Sequence, residues 1–347
     1  MKSNLIRIFL LTSGFIGWVF GCAPELTIEK SPNQTSYHPL MDYQDMVLIP
    51  GGEFLMGSTP QNVEQAGALY KKETGREPLG IWFEDEAPAH VVYLDAFYID
   101  KYEVSNGQYK KFIEATNYKK PFNWMDAYFR QTNKPVMGIE WEDAQAFATW
   151  AGKRVPTEAE WEKAARGGLM GKLFPWGDKP PQTFRRKYEY VPGKEKIFPG
   201  DCEYHMPIGT SESNGYGIYE MTSNVYEWCY DWYAPDYYKN SPAKNPTGPK
   251  EGAVRVVRGG SWFQGSFDLR CAYRNIAPPY YRSYYIGFRC VRTAPTGKIS
   301  AAKNPILASK LRDDSFCHPF LDLAFLNLWP ILTPEIRNHQ FLILDYL

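Results

Sequence analysis

The stretch that most restricts the fold is residues 258–292, RGGSWFQGSFDLRCAYRNIAPPYYRSYYIGFRCVR. Gly259 and Gly260 can take backbone conformations closed to residues that carry a side chain. They therefore bring Ser261 and Trp262 round a tight corner after the strand-like residues 254–257. At the far end, Gly287, Phe288, Arg289 and Cys290 enter an apolar alternation that predicts a closing strand. Between the two strands lies a loop dense in rings and arginine. Its segment Pro278-Pro279-Tyr280-Tyr281-Arg282-Ser283-Tyr284-Tyr285 is stiffened by proline, so its rings suit either a contact surface of low entropy or packing beneath the loop.

Upstream, the spacing predicts three helices. Ser105 and Gln108 form a capping box ahead of Tyr109, Phe112 and Ile113, and the helix should run to about Thr116. Trp141, Ala144, Phe147, Ala148 and Ala151 repeat at helical intervals before Gly152. Thr157 and Glu160 make a second capping box directly after Pro156, with Trp161, Ala164 and Ala165 on one face. Residues 46–58 alternate around Pro50-Gly51-Gly52 and read as a hairpin, residues 59–86 as loop, and residues 90–98 as a strand. Beyond Met170 regular periodicity fades, with strands expected only near Arg255 and Phe288.

The chain has 347 residues and is 44% hydrophobic, enough for a substantial core. Lys plus Arg equals Asp plus Glu at 39 each, so no global field favours nucleic acid. The aromatic share of 16% is more than a core alone usually absorbs, which places some rings on a surface. Lys2 and Arg7, the apolar residues 8–20 and the small residue before Cys22 read as a bacterial lipoprotein signal with lipidation of Cys22; an ordinary secretory signal is the alternative. The expected organisation is a signal peptide at 1–21, a lipidated tether at 22–44, a domain at 45–294 and an extension at 295–347. The extension is either an appended packing helix or a frameshifted end. The expected location is extracytoplasmic, anchored in the membrane through the lipid on Cys22, at the outer membrane or cell surface of a bacterium. In an oxidising compartment Cys202, Cys229, Cys271 and Cys290 suggest two disulfides with three possible connectivities, leaving Cys317 odd.

Six blocks, at residues 46–58, 95–109, 135–168, 174–178, 214–233 and 258–292, resemble in order those of the formylglycine-generating enzyme family, the sulfatase-modifying factors. The resemblance covers residues 45–294. It implies an α+β fold of the C-type-lectin-like kind, low in regular secondary structure. It also implies oxidation of a sulfatase cysteine to an aldehyde with O2 and a copper(I) ion held by two thiolates, ligands that suit a soft metal. Here the position of the first catalytic cysteine falls on Gln264, and residues 263–269 contain no cysteine at all, so copper is not expected. Iron, as in sulfoxide synthases of similar fold, is not expected either: the five histidines are scattered. Cys271 and Cys290 match positions disulfide-bonded in the animal enzymes, whose partner positions have no cysteine here.

The resemblance further implies a structural calcium ion held by the side chains of Glu220 and Glu227 and the carbonyls of Ser223 and Val225, a set of hard oxygen donors. A salt bridge from Glu227 to a neighbour such as Arg258 is the alternative. Trp228, Ser261, Trp262 and Arg274 would floor the ancestral peptide cleft, with Tyr280, Tyr281 and Tyr284 on the loop beside it. The expectation is a lipid-anchored protein of this fold that has lost copper chemistry and binds a peptide, glycan or envelope partner. A formylglycine-generating-type oxidase, or another oxidative protein-modifying enzyme, is the competing reading.

Overall fold

The computed structural model describes residues 43, 45–78, 83–127, 129–181, 206–262 and 264–295. The chain divides into two units, Met1–Ala294 and Pro295–Leu347, and apart from Pro295 the second lies outside the described residues. The signal-like segment, Cys22, Cys202 and Cys317 lie outside them as well.

Residues 46–58 do not form a hairpin. Strands β1 (Met46–Ile49) and β2 (Gly52–Met56) run as one interrupted strand along β3 (His90–Leu94) and β4 (Phe97–Asp100). Ile49 faces Phe97 and Gly52 faces Leu94, so the register passes unbroken across Pro50-Gly51. Proline cannot donate to a ladder, and the two-residue interruption sends β1–β4 and β2–β3 into separate sheets.

Residues 59–86 are not all loop. Helix α1 (Pro60–Thr74) starts on a capping box between Thr59 and Asn62, with Pro60 in its first turn, and ends at Gly75 in the left-handed conformation. The three expected helices form as α2 (Asn106–Thr116), α3 (Trp141–Trp150) and α4 (Glu158–Ala165), and the boxes at Ser105–Gln108 and Thr157–Glu160 are both present. Strand β5 (Tyr226–Trp232), which was not expected, pairs with β6 (Arg255–Arg258). A short β7 (Asn275–Ala277) interrupts the predicted loop, and the closing alternation splits into β8 (Ile286–Gly287) and β9 (Val291–Thr293). The sheets are β1-β4-β9, β2-β3 and β7-β6-β5-β8, the last with β8 parallel to β5.

Strands this short carry few ladder hydrogen bonds, and buried ion pairs join segments far apart in sequence. Glu86 receives both ends of the Arg270 guanidinium, each at 2.7 Å. Glu158 pairs with Arg274 at 2.8 Å and with Arg258 at 3.3 Å. Glu162 accepts from Arg258 at 2.5 Å, Arg166 at 2.6 Å and the Gly57 N–H at 2.7 Å. Burial alone would raise the Glu162 carboxyl, but Arg166 and Arg258 hold it below the usual carboxylate range. Buried charges survive only when paired and hydrogen-bonded in this way.

Candidate functional site

The turn after β6 is built on glycine. Gly259 and Gly260 have φ of +98° and +68°, and a Cβ on Gly260 would lie 2.6 Å from Leu269 and 3.0 Å from the Asp268 carbonyl. Only glycine fits such a turn. The chain then runs Trp262, whose N–H donates to the Asn224 carbonyl at 2.9 Å, and Gln264, whose N–H donates to the Ser261 carbonyl at 3.1 Å. A 3-10 turn, Ser266–Leu269, follows. At its head Ser266 gives both its N–H, at 3.0 Å, and its hydroxyl to the carboxylate of Glu73 in the last turn of α1. Ala66, Leu69 and Tyr70 of α1 pack against Phe267 and Leu269 beneath. The region that the resemblance assigns to copper therefore carries amide, hydroxyl and carboxylate groups in place of thiols. Cys271, the neighbouring thiol, is fully buried, and burial pushes it up to about 12, so it is not a thiolate at neutral pH. These donors do not fit a copper(I) dithiolate.

Beside this turn two aromatic segments meet. Tyr284 meets Phe122 edge-to-face at 4.7 Å and Phe129 at a tilt at 4.8 Å between ring centroids, and Trp262 Nε1–H donates to the Tyr284 carbonyl at 3.2 Å. Gly138 links the two segments: its N–H donates to the Ser283 carbonyl at 2.9 Å and its own carbonyl accepts the Phe122 N–H at 3.1 Å. Trp141 N–H donates to the Pro279 carbonyl, and the Arg282 guanidinium donates to Glu140 at 2.6 Å. Lys119 also reaches Glu140, and these cations hold its carboxyl below the usual range although burial pushes the other way. The two segments are thereby fixed to each other, and each carries exposed apolar groups: Tyr280, at 73% exposure, on one, and Phe122 at 40% and Met125 at 80% on the other.

The expected site residues separate. Tyr280 is presented to solvent, whereas Tyr281 and Tyr284 are half-buried and pack onto core clusters. Trp262 and Gln264 are half-buried at the turn, and Ser261 is fully buried. Trp228 and Arg274 do not floor a cleft: Trp228 is fully buried in the core and Arg274 is consumed by Glu158. Phe122 and Met125 were missed. The run Pro121-Phe122-Asn123-Trp124-Met125 is rich in rings but too short to fix a helical or alternating period.

Cys229, Cys271 and Cys290 are free buried thiols, which corrects the expectation of disulfides among them. Cys229 and Cys271 lie in one core cluster and Cys290 in another. Burial raises the Cys229 and Cys290 thiols well above their ordinary value.

Among the four residues expected to hold calcium, Glu227 binds Arg289 through both oxygens at 2.7 Å and accepts from Trp161 Nε1–H at 2.8 Å; its partner is Arg289 and not Arg258. Glu220, at φ +50°, accepts from the N–H groups of Gly209 and Ser211 and from the Ser211 hydroxyl, each at 2.9 Å. Ser223 and Val225 lie in the turn between these two acids, with Val225 fully buried. Burial, opposed by Arg289 but reinforced by Glu227 and Glu220, holds the nearby Glu103 carboxyl well above the usual range. The carboxylates of Glu220 and Glu227, filled by N–H and O–H donors, do not fit an oxygen cage for calcium, whereas both oxygens of the buried Glu103 carboxyl have no hydrogen-bond partner. Among the described residues no group of three or more ligating side chains gathers.

A family model described as the sulfatase-modifying factor enzyme 1-like domain matches residues 32–294. The chain is similar to a formylglycine-generating enzyme of Streptomyces coelicolor, 33% identical over 305 residues, covering 74% of this chain and 92% of the enzyme. It is equally similar to the serine/threonine-protein kinase Pkn1 of Chlamydia caviae, 33% identical over 284 residues, but spans only 40% of that protein's length. Among solved structures PvdO from Pseudomonas aeruginosa superposes with a TM-score of 0.53 at 28% identity, covering 72% of this chain and 94% of PvdO. With few helices, short strands and long connections, the fold agrees with those relatives, and the chain belongs to the sulfatase-modifying factor family, that of the formylglycine-generating enzymes.

Proposed function

We propose that this protein is an extracytoplasmic, lipid-anchored member of the family that binds a partner through the surface of Phe122, Met125 and Tyr280 and has lost copper-thiolate chemistry. The observation that carries this reading is the turn at Gln264–Ser266: where the family's chemistry needs two thiolates, an amide stands and a hydroxyl is tied to Glu73. Aromatic side chains on segments fixed to each other suit recognition, because such rings lose little entropy on contact. The partner is a peptide, a glycan or an envelope protein, presented near the membrane by the lipid on Cys22.

The 33% identity to the Streptomyces enzyme favours a second reading, a formylglycine-generating-type oxidase or another oxidative protein-modifying enzyme. Photo-crosslinking from position 280 in intact cells separates the two. The binding reading predicts one reproducible cross-linked envelope component that is lost when Phe122 and Met125 are replaced by serine. Cross-linking that ignores those replacements contradicts it.

A further inference from the structure

Arg255 is an exception among the buried arginines. Arg166, Arg274 and Arg289 each direct the edge formed by Nε and Nη2 at a glutamate carboxylate. Arg255 is only 8% exposed, yet it forms no ion pair among the described residues, and its Nε has no hydrogen-bond partner. Its Nη1 donates to the Tyr230 carbonyl, which leaves the same Nε–Nη2 edge unused. The guanidinium is held instead by rings: its central carbon lies 3.7 Å from the ring centre of Trp141, 3.5 Å from that of Trp232 and 5.8 Å from that of Tyr230.

The arrangement follows from the fold. A register shift in β5 places Trp232 directly opposite Arg255, and alternation along the strand puts Tyr230 on the same face and Asp231 on the other. Asp231 is turned away to accept the Glu158 N–H at 2.8 Å and makes no ion pair with Arg255. Trp141 is fixed by its indole N–H to the Cys229 carbonyl at 2.8 Å. Trp141 and Trp232 are half-buried and Tyr230 is 43% exposed, so the stack reaches the surface.

We propose that the Nε–Nη2 edge of Arg255, clamped between Trp141 and Trp232, is a binding site for a carboxylate. A guanidinium fork matches a planar carboxylate in two parallel hydrogen bonds, and rings on both faces keep the anion in the guanidinium plane and keep water off it. A tetrahedral oxyanion is thicker than that slot. The proposal does not rest on the role assigned to the Tyr280 surface.

The test is titration of the purified full chain with acetate, and separately with sulfate at matched ionic strength, following the Nε–H signal of Arg255 by two-dimensional NMR and indole fluorescence in parallel. The signal is identified by its loss in Arg255→Lys. The expected result is a saturable downfield shift with acetate and a weaker one with sulfate, and at least a tenfold loss of acetate affinity by fluorescence in Arg255→Lys. Trp232→Phe, which keeps a ring on the guanidinium, should fold and weaken binding, and it serves if Arg255→Lys does not fold. Short peptides with a free C-terminus, or with an amidated end and an internal glutamate, show which carboxylate is taken. Absence of a saturable shift, preference for sulfate, or unchanged acetate affinity in folded Arg255→Lys or Trp232→Phe would overturn the assignment.

Discussion

Replacing Glu86 with glutamine tests whether buried ion pairs hold this fold. Glu86 and Arg270 are both fully buried, and the pair is bidentate, with the Ser58 hydroxyl adding a third donor to Glu86 at 2.8 Å. Arg270 also anchors the 3-10 turn by donating its Nε–H to the Phe267 carbonyl at 2.8 Å. Glutamine keeps the shape but leaves the guanidinium with no countercharge in a site closed to water. Removing one partner of such a pair costs about 3–5 kcal/mol. The double variant Glu86→Leu/Arg270→Met removes both charges and should recover most of that loss, because replacing a buried pair with apolar groups of similar volume is often neutral or stabilising. Urea unfolding of the parent, Glu86→Leu, Arg270→Met and the double variant, read by tryptophan fluorescence and circular dichroism, gives the cycle, with Glu86→Gln measured beside it. A Glu86→Gln loss below about 1 kcal/mol, in the range of exposed ion pairs, would show that this pair does not hold the fold.

Three further outcomes are expected. Burial, opposed by Arg274 and aided by Glu86, lifts the Asp85 carboxyl from 3.8 to about 6. The folded state thus holds the proton more tightly, and this stabilisation is complete below the unfolded value and lost as pH rises through the folded one. Relative to Asp85→Asn, the parent should lose roughly 2–3 kcal/mol between about pH 4 and about pH 6, and a difference that stays flat in urea titrations across that window rules this out. Gly260→Ala should destabilise by at least about 2 kcal/mol because it meets both positive φ and the Leu269 side chain; thermal unfolding at the parent's midpoint would contradict the turn described. Tyr280→Ala should leave stability within about 0.5 kcal/mol while Tyr284→Ala costs about 1–3 kcal/mol, and equal denaturation midpoints for the two would deny that only Tyr280 is free to bind.

Local elements were legible where the signal itself is local. The capping boxes at Ser105 and Thr157 and the helical spacing of Trp161, Ala164 and Ala165 located α2 and α4 because a helix satisfies its own backbone. Helix α1 was readable in the same terms, with Thr59 and Asn62 as its cap and Ala66, Leu69 and Tyr70 at helical spacing, but its polar composition hid it. Strand β5 was missed because it is buried on both faces at its start, which erases the alternation that marks a half-exposed strand. The roles of Trp228 and Arg274 failed for another reason. Neighbourhood in sequence suggested a cleft, while the partner that consumes Arg274, Glu158, lies 116 positions away. Charge pairing over such distances leaves no local trace, and neither does the closure of Ser266 by Glu73.

This member of the family is proposed to bind a partner without copper-thiolate chemistry. Copper(I) titration of the purified protein, together with mass spectrometry of a sulfatase-type cysteine peptide incubated with it, copper(I) and O2, addresses that claim most directly. No stoichiometric copper and an intact peptide thiol are expected in a folded sample. Tight one-to-one copper with conversion of the thiol to an aldehyde would contradict the proposal.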